Sequence, residues 1–150
     1  MSFLRPAIFY PSCVALGVLI GFSIIGLGLV PHADPAPVTS PTSRNLERTN
    51  TLNSLAAALR QYETDHKQLP MRLPSSLTEI CITGGDICTT RSLVDLSYLA
   101  NGKYLTAIPT DPVGGHVEYG TGYLIAESAD GTLYLKAVRA EDGKTIQLIK

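Results

Sequence analysis

"RNLERTNTLNSLAAALRQYETDHK", residues 44–67, decides the fold. Leu52, Leu55, Leu59, Tyr62 and His66 recur at helical spacing on one face, with Leu46 and Ala56 beside them. Ser43 is placed to cap the start, and Pro70 and Pro74 of "LPMRLP" to end it. The stripe is one-sided, so this helix must bury it against a second layer. Three alternating runs downstream supply that layer: "YLIAE" at 123–127, "LYLKAV" at 133–138 and "IQLI" at 146–149. The turns between them, "SADGT" and "AEDGK", are built on Asp-Gly, a strong hairpin signal. "HVEY" at 116–119 is expected to add a fourth strand. The reading is an α+β domain, one long helix packed on a small antiparallel sheet.

Between helix and sheet the expected elements are short. Ser76 and Glu79 have capping-box spacing, which predicts a helical turn around Leu77 and Ile80. Cys81 and Cys88 flank "ITGGDI", and a two-residue turn at Gly84-Gly85 sets Thr83 opposite Asp86 and the cysteines opposite each other. A disulfide there is geometrically reasonable, whereas two thiolates without a third or fourth ligand make a poor zinc site. "RSLVDLSYLANG" at 91–102 reads as a helix burying Leu93, Leu96 and Leu99 and stopping at Asn101-Gly102.

The crossing "KYLTAIPTDPVGGHVEYGTGYLI", residues 103–125, then leads into the sheet. Pro109 and Pro112 hold the residues before them extended, Asp111 can accept from local amides, and Gly114-Gly115 permits positive φ. These are parts of a structured crossing, and they are assigned to architecture.

Outward from the domain, composition changes sharply. No charged residue occurs from Pro6 to Pro31, and Cys13–Val30 is almost entirely apolar. About 20 residues of helix cross a hydrocarbon core, so this run with its flanks suffices for a transmembrane helix. A short basic region (Arg5 alone), a long apolar core and the lack of a clean small-residue site favour a retained anchor over a signal peptide, with cleavage near Ala33 as the alternative. Arg5 precedes the span and the first basic residue after it is Arg44, which places the N-terminus in the cytoplasm. Pro31, Pro35, Pro37 and Pro41 make residues 31–43 an extended spacer. The expected organisation is therefore a cytoplasmic stub and transmembrane helix over 1–30, a Pro-rich linker over 31–43 and an extracytoplasmic domain over 44–150. That compartment also suits a Cys81–Cys88 disulfide.

With 12 basic and 13 acidic residues and no like-charge block, the chain carries no nucleic-acid footprint. No phosphate-binding loop or nucleophile elbow is present, and no cofactor or metal is expected. Glu63, Asp65 and His66 cluster at the end of the long helix, where His commonly answers exposed carbonyls. A catalytic or metal-sensing role for them, or for His116, which alternates with Glu118 along the expected strand, needs convergence in space. Gly17 and Gly21 form a GxxxG in the apolar span through which two copies could approach.

The order of elements resembles type IV pilin-like proteins, especially type II secretion pseudopilins, over roughly residues 46–138. The resemblance is carried by the helix end "ALRQYETDHKQLP" and by Tyr104, Leu105, Ile108, Pro109, Asp111, Pro112 and Gly114, with Tyr119 downstream. It implies a structural or binding role in a pilus, secretion or envelope assembly, with other protein subunits as partners and no enzymatic activity. Some secretion pseudopilins bind calcium in the loops of the C-terminal sheet, which makes Asp130 and Asp142 the calcium candidates here; turn chemistry accounts for both. Gly21-Phe22 matches the family's processing junction, but Gly26 stands where its mature chains carry Glu, and the preceding segment is apolar and not basic. A minor pseudopilin with a degenerate processing site is thus one alternative reading. A membrane-tethered enzyme or metal-dependent sensor is the other.

Overall fold

A computed structural model describes residues 40–150. The apolar run, Gly17, Gly21, Phe22 and residues 31–39 of the Pro-rich spacer lie outside the described residues. Among the described residues no helix is long and apolar enough to cross a membrane.

The chain enters helix α1, Pro41–His66, through a reciprocal cap. Ser40 Oγ accepts from Ser43 N–H (3.1 Å), and Ser40 N–H donates to Ser43 Oγ (3.2 Å). Ser43 is therefore the third helical residue and not the cap, and the helix takes the last three residues of the expected linker. Pro41 suits the first helical position because its missing N–H would have had no partner there. Lys67, at φ 67°, ends the helix.

Four strands follow in an antiparallel meander of order β1-β2-β3-β4: Thr78–Cys81, Gly120–Glu127, Leu133–Ala137 and Gln147–Ile149. Two single-turn helices, α2 (Asp86–Thr90) and α3 (Ser97–Asn101), lie between β1 and β2. The register pairs Thr78 with Ile125, Ile125 with Leu135, and Leu135 with Leu148, which puts the inward side chains of all four strands on one face. Against that face α1 lays Leu52, Leu55, Ala56 and Leu59, all at 3% exposure or less. Ile80, Leu96, Leu99, Tyr123, Ile125 and Leu135 complete a single core. Each such side chain contributes roughly 1.5–3 kcal/mol by leaving water.

Several expected elements take other forms. The Ser76–Glu79 spacing does not start a helix: Glu79 lies in β1 beside Leu124 of β2. The fourth strand is thus β1, and "HVEY" is a turn running into β2. Cys81 and Cys88 do form a disulfide, with Cα atoms 5.6 Å apart. It does not cross a hairpin, because α2 begins at Asp86 and Cys81 pairs with Gly120 instead. The 91–102 helix is confined to Ser97–Asn101, since Val94 bridges to Ile80 in extended conformation. Leu46 is 62% exposed, so the buried face of α1 begins with Asn45 and Arg48 rather than with a leucine.

Candidate functional site

The most unusual chemistry is at the N-terminal half of α1. Arg48 shares the spacing of Leu52, Leu55 and Leu59 and is carried by it into the core, where its side chain is fully buried. Its Nε donates to Asp111 Oδ2 (2.7 Å) and its Nη2 to Asp111 Oδ1 (3.0 Å), the planar fork that arginine offers a carboxylate. Its Nη1 donates to Glu141 Oε2 (2.7 Å) and to Asn45 Oδ1 (2.9 Å). Arg44 Nε also reaches Glu141 Oε2 (2.8 Å). Asn45 and Glu141 close the set through their side-chain amide and backbone, Nδ2 to O (3.0 Å) and N–H to Oδ1 (3.0 Å). Hydrogen bonds from Arg44 and then Arg48 hold the Glu141 carboxyl down to about 2.

Asp111 is where helix and crossing meet. Its Oδ1 also accepts Val113 N–H (2.9 Å), and its own N–H donates to Thr121 O (2.7 Å). Gly122, at φ +84°, lies so close that an added Cβ would stand 2.7 Å from Asp111 Cβ. Pro112 and Gly114 shape the turn just beyond, with Gly114 N–H returning to Asp111 O (2.8 Å), while Pro109 is half-buried before it. A second carboxylate pins the other end of the crossing. Glu79, 5% exposed, accepts from the N–H groups of His116 (2.8 Å), Val117 (3.2 Å) and Gly122 (2.6 Å). Arg139 Nη2 adds a bond to Gly115 O (2.7 Å). Each of these charged groups is engaged by the chain that it holds.

The helix-end cluster converges only in part. The Tyr104 hydroxyl donates to Asp65 Oδ2 (2.9 Å) and lies 3.2 Å from His66 Nε2. The Tyr62 ring stacks on His66 at 4.3 Å between centroids. Glu63 faces elsewhere, lining a groove with Leu59, Leu69 and Glu127. His116 is exposed on the crossing, and Glu118, no longer its strand neighbour, pairs with Arg91 Nη2 (2.7 Å). Asp130 and Asp142 sit in successive hairpin turns, which lie at opposite ends of β3. Asp130 takes the Ser128 hydroxyl and Thr132 N–H, and those bonds hold its carboxyl to about 2. Among the described residues no group of three or more His, Cys, Asp or Glu is placed to hold a metal ion.

Sequence reasoning passes over Arg48, which nonetheless leaves a signal, and it takes Glu79 only as the end of a capping box, not as a buried carboxylate. Read with Leu52, Leu55 and Leu59, Arg48 continues an apolar stripe one turn too far, as a charge in a core position. Glu79 sits in an unremarkable "TEIC", and its partners are backbone amides from distant residues.

A groove of about 600 Å³ runs between α1 and β4, with Leu46, Thr49 and Leu52 on the helix side and Lys144, Ile146 and Leu148 on the strand side. No protein-family model matches the sequence, no curated protein matches it, and no solved structure matches the fold.

Proposed function

We propose that the chain is a single-pass membrane protein that presents a pilin-like α+β module outside the cytoplasm as a structural or binding part of an envelope assembly. The observation that carries this reading is the buried Cys81–Cys88 disulfide, in a domain that follows a charge-free segment long enough to span a bilayer. The pilin-like motif supports it from another side. Tyr104, Pro109, Asp111, Pro112 and Gly114 lie along the crossing from α3 into β2, and Asp111 receives the buried arginine of α1. The charged groups inside the domain serve the fold: Arg48, Asp111, Glu79 and Glu141 each hold one segment against another. Such a domain is a rigid carrier for its surface.

The test is the mass and N-terminal sequence of the full chain extracted from its native membrane, with and without reductant. Retention of residues 1–30 together with a two-hydrogen mass gain on reduction is the expected result. A start at Phe22 would instead indicate a processed pseudopilin, and fibres should then be sought. A start near Ala33 would mean a secreted domain and would end the anchor reading. The convergence of Asp65 and His66 on Tyr104 favours a metal-sensing alternative only if zinc or calcium titration of the full chain shifts the His66 ring resonances.

A further inference from the structure

The two edges of the sheet are finished differently. At the β1 edge, Cys81 N–H donates to Val94 O (2.8 Å) and Val94 N–H to Glu79 O (2.9 Å), so that edge is already paired. At the β4 edge it is not. Leu133 and Lys150 exchange both backbone bonds (2.7 and 3.0 Å), and Ala137 N–H donates to Ile146 O (2.9 Å). In an antiparallel ladder bonded and non-bonded pairs alternate. Gln147 and Ile149, opposite Lys136 and Tyr134, therefore turn their N–H and C=O groups away from β3. No described residue takes those groups, and both side chains are exposed.

Beside this edge lies the α1–β4 groove. Its apolar lining, Leu46 and Leu52 from the helix and Ile146 and Leu148 from the strand, suits the inward side chains of a fifth strand. Its charge is one-sided. Among the described residues Lys144 is the only charged one lining it, and Lys150 closes the other end of β4. Two β4 strands pairing antiparallel about Gln147 would bring Lys144 of each opposite Lys150 of the other, so the edge is poorly suited to a second copy.

We propose that the β4 edge and the α1–β4 groove form a docking site for an extended peptide segment of a partner protein, with alternating apolar side chains and acidic residues at its ends. The segment adds as a fifth, antiparallel strand on Gln147 and Ile149. It drops every second side chain into the groove against Leu46, Leu52 and Leu148 and sets its acidic ends near Lys144 and Lys150. The inference deepens the reading of the chain as a binding module; it does not depend on membrane attachment.

The probe is a synthetic alternating Val/Thr octapeptide with Asp and Glu at its ends, titrated against the full chain in detergent micelles. Two controls are the same peptide with lysine ends and the same peptide with alternate amides N-methylated. Backbone amide exchange at Gln147 and Ile149 is followed alongside binding. The amides should exchange freely in the unbound chain and slow when the acidic peptide is added. N-methylation, or Gln147→Pro, which removes only an outward N–H, should weaken binding by about tenfold or more. Lys144→Glu should invert the preference between acidic and basic ends, and it leaves the core untouched if the Gln147 variant fails to fold. Binding that ignores N-methylation and Gln147→Pro, or no binding at millimolar peptide, overturns the proposal. So does protection of the Gln147 amide in the unbound chain, which would mean that another segment or a second copy already covers the edge. Any of these failures leaves the localisation test of the previous subsection unaffected.

Discussion

Replacing Arg48 by methionine keeps most of the side-chain volume and removes the charge around which helix, crossing and β3–β4 turn are joined. In the parent both Arg48 and Asp111 side chains are fully buried, and the guanidinium donates to Asp111, Glu141 and Asn45. Breaking a buried pair from one side typically costs about 3–5 kcal/mol because the remaining charge is stranded. Glu141 keeps 28% of its side chain exposed, so water has a way in and the lower end applies. An unfolding entropy of ~2.1 cal/mol/K per residue over roughly 110 residues gives ~0.23 kcal/mol/K, so a loss of about 3 kcal/mol lowers Tm by roughly 13 °C. Asp111→Asn strands the arginine less severely, since Glu141 remains and the Asn oxygen can still accept Val113 N–H. Thermal melts of the full chain, followed by near-ultraviolet circular dichroism of its tyrosines, give all three values. Arg48→Met with Asp111→Asn should cost about 2 kcal/mol less than the sum of the single changes. A single-variant loss under about 0.5 kcal/mol, or strict additivity, would show that the pair is not coupled and that the helix is held by its leucines alone.

Acid should loosen the same network from the other side. The Glu141 carboxyl is held at about 2 against an ordinary value near 4.5, so its contribution is complete above pH 4.5 and is lost as pH falls from there toward 2. Melts at pH 5, 4, 3 and 2 should show a decline that is shallower in Glu141→Gln; equal slopes would rule out this carboxylate as the source. Reducing Cys81–Cys88, or replacing both by alanine, opens a loop of seven residues' separation and should cost about 2.5 kcal/mol by the loop-closure relation, read from denaturant midpoints. An unchanged midpoint would mean that the β1–Val94 pairing holds the excursion alone. Gly122→Ala meets both a positive φ and the Asp111 Cβ at 2.7 Å and should destabilise by at least about 2 kcal/mol, whereas Gly131→Ala, with open space around it, should lose only the conformational part. Equal losses at the two glycines would refute the close approach of Gly122 to the crossing.

What the sequence made legible was whatever repeats locally. The stripe Leu52, Leu55, Leu59 gave the long helix and its buried face, and the Asp-Gly turns gave the β2–β3–β4 meander. Misreadings cluster where a local pattern had two solutions and distant residues chose between them. Ser76 and Glu79 match a capping box, but Glu79 gains three backbone N–H partners as a strand residue, and those come from residues 116–122. Gly84-Gly85 could turn a hairpin; Asp95 instead accepts Gly85 N–H (2.7 Å) and Ser97 N–H (2.8 Å), which fixes that segment against α3. Those bonds hold the Asp95 carboxyl below its usual range although burial works against them. Leu46 fits the stripe as a letter, but it lines the open α1–β4 groove, while Asn45 and Arg48 face the β3–β4 turn. The prolines and glycines of the crossing mark it as architecture, while the arginine that fixes it lies 63 positions away and shows in the sequence only as a charge in an apolar register.

The costly group and the open groove are connected. A buried guanidinium is a poor way to gain stability, since an apolar side chain of similar size would hold helix to sheet with no desolvation penalty. What the arginine supplies is position. Through Asn45, Arg44 and Arg48 the first turns of α1 are tied to Glu141, three residues before Lys144, where the strand wall of the groove begins. Hydrophobic contact alone would let the helix settle inward over β4 and close the gap, because it has no preferred distance beyond maximal burial. A directional network, with Asn45 and Arg48 bonded to Glu141 at 2.7–3.0 Å, fixes the spacing of helix and turn at that end of the groove. Leu52 against Ile146 and Leu148 sets them deeper in. Leu46 at 62% exposure is what a helix held in that position must leave uncovered, and a fifth strand on Gln147 and Ile149 is the element whose addition would bury it.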